Sequence, residues 1–166
     1  PTVKASENIF WDADIWVSTK RKPFQYTQPK DLIGKRIGGR AGYFYKGVTP
    51  LIKSGQIKAH LQQGDYENYL RLMSGDIETF VMSRSSFLYW QSSQVDVSNL
   101  TLSLSAHDAY KRHILFSQHY LPLLPLLNGF IESLNSNTNW MDKLNEWGVE
   151  TLVDPIELEL EELMDY

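Results

Sequence analysis

The residues best suited to chemistry sit at Gly38-Gly39-Arg40-Ala41-Gly42, followed at once by Tyr43-Phe44-Tyr45. Glycines let backbone N–H groups come close to a ligand, an arginine offers a planar fork to a carboxylate or phosphate, and aromatic rings offer flat faces for stacking. The run lacks the lysine and spacing of a phosphate loop, so nucleotide chemistry is not indicated. Plainer readings stand beside the functional ones: Arg40 as a solvated strand-end cation, the aromatic cluster as core packing. Ser83, after the apolar run Phe80-Val81-Met82, is either a polar contact at a strand end or the cap of the helix that follows.

Signals for catalysis are weak. His60, His113, His119 and the pair His107-Asp108 lie outside any HExxH or triad context, and Glu67 and Glu78 fall on different elements with nothing to set a paired-carboxylate distance. The chain has no cysteine, which removes disulfides, thiolate zinc sites and cysteine nucleophiles together. The sequence points to no catalytic residue, no metal and no cofactor, and we read the protein as a binder rather than an enzyme.

The elements that must position these residues belong to a chain of 166 residues, 42% hydrophobic and 13% aromatic, long enough for about one packed domain. Disorder is excluded for most of it, and no segment approaches the ~20 consecutive apolar residues of a membrane span. A net charge of −4 hides a bipolar distribution: 20–58 is basic apart from Asp31, whereas 142–166 is acidic apart from Lys143. The basic stretch interleaves Phe24, Tyr26 and Tyr43, as a nucleic-acid surface does. Overall acidity and the lack of RNP, zinc or helix-turn-helix signatures argue against nucleic acid. Pro1-Thr2-Val3-Lys4 does not read as a secretory leader.

Ile9–Val17 reads as a strand exposed on one face, Asp31–Gly34 as a helical turn, and Lys35–Gly42 as a strand running into a turn. Thr49-Pro50 starts a short helix that Gly55 ends. A strand at Ile57–Gln62 leads to a helix from an Asp65 cap, with Tyr66, Tyr69, Leu70 and Met73 on one face and Gly75 as its stop. Next come a strand at Ile77–Met82, a helix capped by Ser83 through Phe87 and Trp90, and a strand at Leu100–Leu104. Alternation of this kind predicts a partly parallel sheet covered by helices. Beyond it, His113–Phe116 reads as a strand, Leu123–Leu134 as an almost wholly apolar helix, and Asn139 as the cap of a helix through Trp140, Leu144 and Trp147 to Gly148. The tail Asp154–Tyr166 is acidic.

Taken in order and spacing, Asp31-Leu32-Ile33-Gly34-Lys35-Arg36-Ile37-Gly38, Gly42, Gly75 to Val81, His113 to Ser117 and Leu127 to Leu134 resemble the extracellular solute-binding proteins of family 3. These are the type II periplasmic binding proteins of polar amino-acid ABC transporters. The likeness covers roughly residues 10 to 150. It implies an α/β fold of periplasmic binding protein type II-like architecture: here one three-layer α/β lobe, hinge strands and C-terminal helices. On that alignment 1–19 ends a first lobe and contains the first crossing strand at Ala13–Ser18. Residues 20–111 form the second lobe, 112–118 the second hinge strand, 119–150 helices that pack on the first lobe, and 151–166 an acidic tail. Most of a first lobe, with its ligand-clamping arginine, is not in this sequence, so the resemblance implies the C-terminal part of a larger protein.

The family's ligand contacts map onto Arg40, Gly42, Tyr43, Phe44, Met82 and Ser83. Tyr43 and Phe44 stand where the family places a small hydroxyl, so only the backbone contribution survives there. Ser83 stands where an aspartate normally pairs with a ligand ammonium. A charge-assisted hydrogen bond is worth about 1.5–3 kcal/mol against roughly 1 for a neutral one, which predicts weaker binding of ordinary α-amino acids through this position, of the order of tenfold. The five side chains Arg40, Tyr43, Phe44, Met82 and Ser83 are expected on one concave face.

The function implied is periplasmic capture of a small polar or anionic, amino-acid-like solute by lobe closure, for delivery to an ABC transporter permease. The alternative is a ligand-sensing or interaction domain of a larger envelope protein, a sensor kinase or a cell-wall lyase, because the same fold serves both. The apolar helix at Leu123–Leu134, short of a first lobe, is expected to drive self-association together with the Trp140/Trp147 helix.

Overall fold

A computed structural model describes residues 3–93, 95–134 and 136–146. Contacts divide the chain into two compact units, one of Ala13–Asp108 and one of Pro1–Asp12 with Ala109–Tyr166. The acidic tail, Trp147 and Gly148 lie outside the described residues.

Strands β2 (Phe10–Thr19), β3 (Arg36–Arg40), β4 (Lys58–Gln62), β5 (Thr79–Ser83) and β6 (Leu100–Leu102) lie in the order β4-β3-β5-β2-β6, nearly all of them within residues 13–108; β7 (Asp108–Arg112), which pairs with β2, falls almost wholly outside that unit, as does the start of β2. Strand β3 runs parallel to both β4 and β5, while β2 is antiparallel to β5 and β6. This is the partly parallel sheet that the sequence predicts.

Alternation along the strands sorts side chains onto two faces. On one, Ile15, Val17, Phe80 and Met82 pack with Leu72 of α2 (Asp65–Ser74) and with Phe87 and Trp90 of α3 (Arg84–Ser92). On the other, Trp16, Ile37 and Val81 pack with Leu32, in the 3-10 turn Pro29–Leu32, and Val48 of α1 (Val48–Lys53). The result is three layers with two separate apolar cores.

The Ile9–Val17 reading needs correction. Strand β2 lies between β5 and β6 and is buried nearly throughout, because helices and turns cover both faces of the sheet at that point. Its acids are therefore not a solvated face. Asp12 is buried and takes Arg112 Nη2 at 2.7 Å and Nε at 3.0 Å.

In the other unit, β1 (Val3–Ala5) pairs antiparallel with β8 (Leu115–Ser117), followed by a 3-10 segment Gln118–Leu123 and the helices α4 (Leu124–Leu134) and α5 (Thr138–Glu146). The segment read as one strand at His113–Phe116 is divided. Ser6 accepts from the Ile114 N–H through its hydroxyl at 3.0 Å and meets His113 Nδ1 through its carbonyl at 2.7 Å, so β7 ends before β8 starts. Asn137 rather than Asn139 caps α5, its Oδ1 accepting from the Trp140 N–H at 3.0 Å. No helix among the described residues is long and apolar enough to cross a membrane.

Candidate functional site

The site begins with two glycines in β3. A Cβ on Gly38 would stand 2.6 Å from Asn68 Oδ1, 2.7 Å from Ile77 Cδ1 and 2.8 Å from Phe80 Cβ, so this position accepts only hydrogen. Buried Asn68 of α2 donates to the Gly39 carbonyl at 3.1 Å and ties the helix to the strand. Gly38 therefore lets α2 come down onto β3, which carries Asp65, at the start of α2, to the strand's C-terminal end, while Gly39 leaves room on the other face for the Tyr45 ring.

Arg40 occupies that end. Its N–H donates to the Tyr45 hydroxyl at 2.8 Å, its guanidinium Nε lies 3.6 Å from Asp65 Oδ1, and its cationic carbon lies 5.7 Å from the centre of the Tyr43 ring. Burial pushes the Asp65 carboxyl up from its ordinary value, with Glu67 adding to the rise and Arg40 opposing it. Ala41 closes on the Gln62 carbonyl, and Gly42 turns the chain at φ 80°, a left-handed conformation that suits glycine. Beyond the turn Tyr43 is 56% and Phe44 73% exposed, while Tyr45 turns inward and is buried.

Ser83 ends β5 beside this edge. It caps α3, its Oγ accepting from the Ser86 N–H at 3.4 Å and donating to Ser86 Oγ at 2.7 Å. Both readings made of Ser83 thus meet at one atom, because the cap uses the same oxygen that a ligand would need. Met82 stands apart from the other five residues: it is 3% exposed and belongs to the core cluster of α2 and α3. Its side chain packs there because residue 82 has the same parity as Phe80.

Parity also separates the two polar groups. Ile37 pairs with Thr79 and Gly38 with Phe80, and the same register carries Arg40 to the level of Met82, leaving Ser83 on the alternate face. Arg40, Gly42, Tyr43, Phe44 and Ser83 share one edge of the sheet, and Arg40 and Ser83 leave it from different faces. The expectation of one concave face for all five side chains therefore fails: Met82 packs in the core, and Arg40 and Ser83 leave the sheet edge on opposite faces.

Three residues at this edge were missed from sequence. Asp14 on β2 lies directly opposite Ser83 in register, which sets a carboxylate-bearing residue where Ser83 itself lacks charge. Asp65 was read only as a helix cap, whereas Gly64 is the N-cap and Asp65 the first residue of α2; α1 and β4 separate it from Arg40 along the chain, so no local signal linked the two. His107 lies amid rings, with centroids 5.9 Å from Trp16, 5.5 Å from Tyr26 and 6.0 Å from Tyr45, and its Nδ1 is 2.9 Å from the Tyr26 hydroxyl. Burial lowers its pKa, Lys46 acts in the same sense, and Asp108 opposes. Burial thus favours its uncharged form, and the ring packs edge-on against Tyr45, which in turn holds the Arg40 backbone.

No family model matches the chain, and no curated protein matches it in sequence. Solved structures match it well. A variant of ArgBP from T. maritima superposes with TM-score 0.71 at 18% identity, over 87% of this chain and 61% of that one. The GluR0 ligand-binding core from Nostoc punctiforme in complex with L-glutamate gives TM-score 0.70 at 16% identity, over 87% and 65%. A substrate-binding protein of an amino acid ABC transporter gives 0.67 at 14%, over 87% and 63%. The chain spans less than two thirds of the length of each. Likeness at this level establishes the fold, periplasmic binding protein type II-like, with the mixed sheet and flanking helices described above.

Proposed function

We propose that this chain belongs to a periplasmic solute-binding protein that captures a small polar or anionic, amino-acid-like solute by lobe closure and passes it to an ABC transporter permease. Residues 20–111 then serve as the second lobe, 112–118 as the second hinge strand and 119–150 as C-terminal helices that pack on the first lobe. The chemistry is reversible binding, with no bond made or broken.

One observation supports this reading above the rest. Arg40 is held at the C-terminal end of a parallel strand, backbone fixed by Tyr45 and guanidinium beside Asp65 and the Tyr43 ring. Open α/β sheets place their ligands at that strand end. Arg40 supplies the cation for an anionic group, Gly42 a close-approach backbone, and exposed Tyr43 and Phe44 flat apolar surface; Ser83, on the opposite face of the same edge, is a separate position that the substitutions below test. The neighbours include an L-glutamate complex and a protein of an amino acid ABC transporter, in keeping with a solute of this size and polarity. The GluR0 likeness, a ligand-binding core, favours a second reading in which the module senses its solute within a larger envelope protein.

Calorimetry on the full-length protein tests the site. Arg40→Ala is expected to weaken an anionic solute at least tenfold, and Ser83→Asp to improve binding of a free α-amino acid by a similar factor. Micromolar amino-acid binding that neither Arg40→Ala nor Ser83→Ala disturbs would remove the assignment.

A further inference from the structure

A concavity lies at the other end of the same sheet. It has a volume of about 480 Å³ and lies where β2 ends, β3 begins and the chain enters β5, against the last turn of α2. Four strand steps separate Arg36 from Arg40, about 13 Å at ~3.3 Å per residue, so this pocket is separate from the edge described above. Its volume falls in the range of small-molecule sites.

The lining is chemically divided. Met73, 45% exposed, provides apolar surface together with the small accessible parts of Leu72 and Ile77, whereas Arg21, Lys22 and Arg36 bring three cations against a single carboxylate, Glu78. That carboxylate is already engaged: its Oε2 accepts from the Arg36 N–H at 3.0 Å and lies 3.8 Å from the Arg36 Nε. Among the described residues, no side-chain ion pair involves Arg21 or Lys22. Exposed cations usually spread out into solvent. Here two adjacent ones and a third flank one cavity, and like charges around a low-dielectric wall create a positive potential that attracts an anion.

We infer that this pocket binds a small organic anion, its carboxylate or phosphate group between Arg21, Lys22 and Arg36 and its apolar part against Met73 and the edges of Leu72 and Ile77. The divided lining selects for such a ligand. A bare inorganic ion leaves the apolar wall empty, and a neutral apolar molecule leaves the cations uncompensated. This assignment is independent of the solute site at Arg40, and neither stands or falls with the other.

The experiment is a nuclear magnetic resonance titration of the isotopically labelled full chain with benzoate, phenyl phosphate and neutral benzyl alcohol, each to about 10 mM, which covers millimolar affinity. Benzoate or phenyl phosphate is expected to give saturable shifts at the backbone amides of Lys22, Arg36 and Gly75, whereas benzyl alcohol gives none. The better of the two anions identifies the preferred headgroup. The double variant Arg21→Ala/Lys22→Ala should weaken binding about tenfold. Glu78→Gln, which retains an acceptor for the Arg36 N–H but removes the opposing charge, should strengthen it several-fold. A control losing two charges elsewhere, Lys30→Ala/Lys53→Ala, should leave it unchanged. Shifts equal for the neutral and anionic probes, no saturable shift at those amides, or equal losses in the two double variants would overturn the inference.

Discussion

Arg40 and Asp65 define the chemistry of the solute edge as a competition. An anionic ligand entering at Arg40 must share the guanidinium with a carboxylate 3.6 Å away. Partial burial makes that carboxylate costly to keep charged, and the upward shift of Asp65 shows desolvation prevailing over the pull of Arg40. A carboxyl whose folded-state pKa is raised favours the folded state while protonated, and loses that contribution as pH rises through the raised value. Asp65→Asn imitates the protonated form. It should therefore raise the melting midpoint relative to the parent protein more at about pH 7 than at about pH 3, where the parent carboxyl is itself protonated. Thermal unfolding at the two pH values checks this; an equal effect at both would mean that the Arg40 attraction balances the burial cost.

Strand β3 shows how an element can be shaped by what it must admit. Its central residue Gly38 has an ordinary backbone conformation, so the demand for glycine there is purely steric. Asn68 Oδ1 and Ile77 Cδ1 are side-chain ends with some freedom to move, but Phe80 Cβ is fixed by its own strand and stands 2.8 Å from the position a new Cβ would take. Gly38→Ala must push β5 or α2 away. Overpacking of this kind costs about 1–3 kcal/mol, which a urea unfolding midpoint resolves easily. The same shift would move Asp65 relative to Arg40, so solute affinity should fall together with stability. A variant as stable as the parent would show that α2 is not held against β3 as described.

At the scale of the whole molecule, the residues of 3–12 and 109–146 expose an unusual amount of apolar surface. Ile131 is the buried residue of α4, while Leu126 is 76% and Phe130 58% exposed, and Leu115 and Leu123 are also open to solvent. The two-stranded β1–β8 sheet leaves backbone edges available as well. Covering four such side chains is worth roughly 6–12 kcal/mol at ~1.5–3 each, a large share of the stability of a typical domain. The 166-residue chain is accordingly expected to self-associate through this surface. Sedimentation at tens of micromolar should show dimers or larger species, and Leu126→Glu/Phe130→Glu should return them to monomers. A monodisperse parent monomer with α4 ordered would show that the surface is tolerated in water.

What the sequence determined by itself was local. The turn at Asp31–Gly34, the helix stopped by Gly75, the cap at Ser83 and the order of strands and helices all depend on residues a few positions apart, whose spacing and capping chemistry are visible along the chain. The family resemblance rests on the same short segments and led to the fold that the solved structures share. Tertiary structure decided the rest. Period-two alternation shows that Met82 and Ser83 point opposite ways, but not that helices cover the Met82 face and leave its side chain in the core. Asp12 reads as a solvated acid until Arg112, a hundred residues away, is brought to it. Arg40 has no visible partner along the chain until Gly38 lets α2 approach and deliver Asp65. Charges find their counter-charges, and strands their neighbours, through contacts between distant segments. Those contacts depend on which surfaces are buried together, and no single stretch of sequence records that.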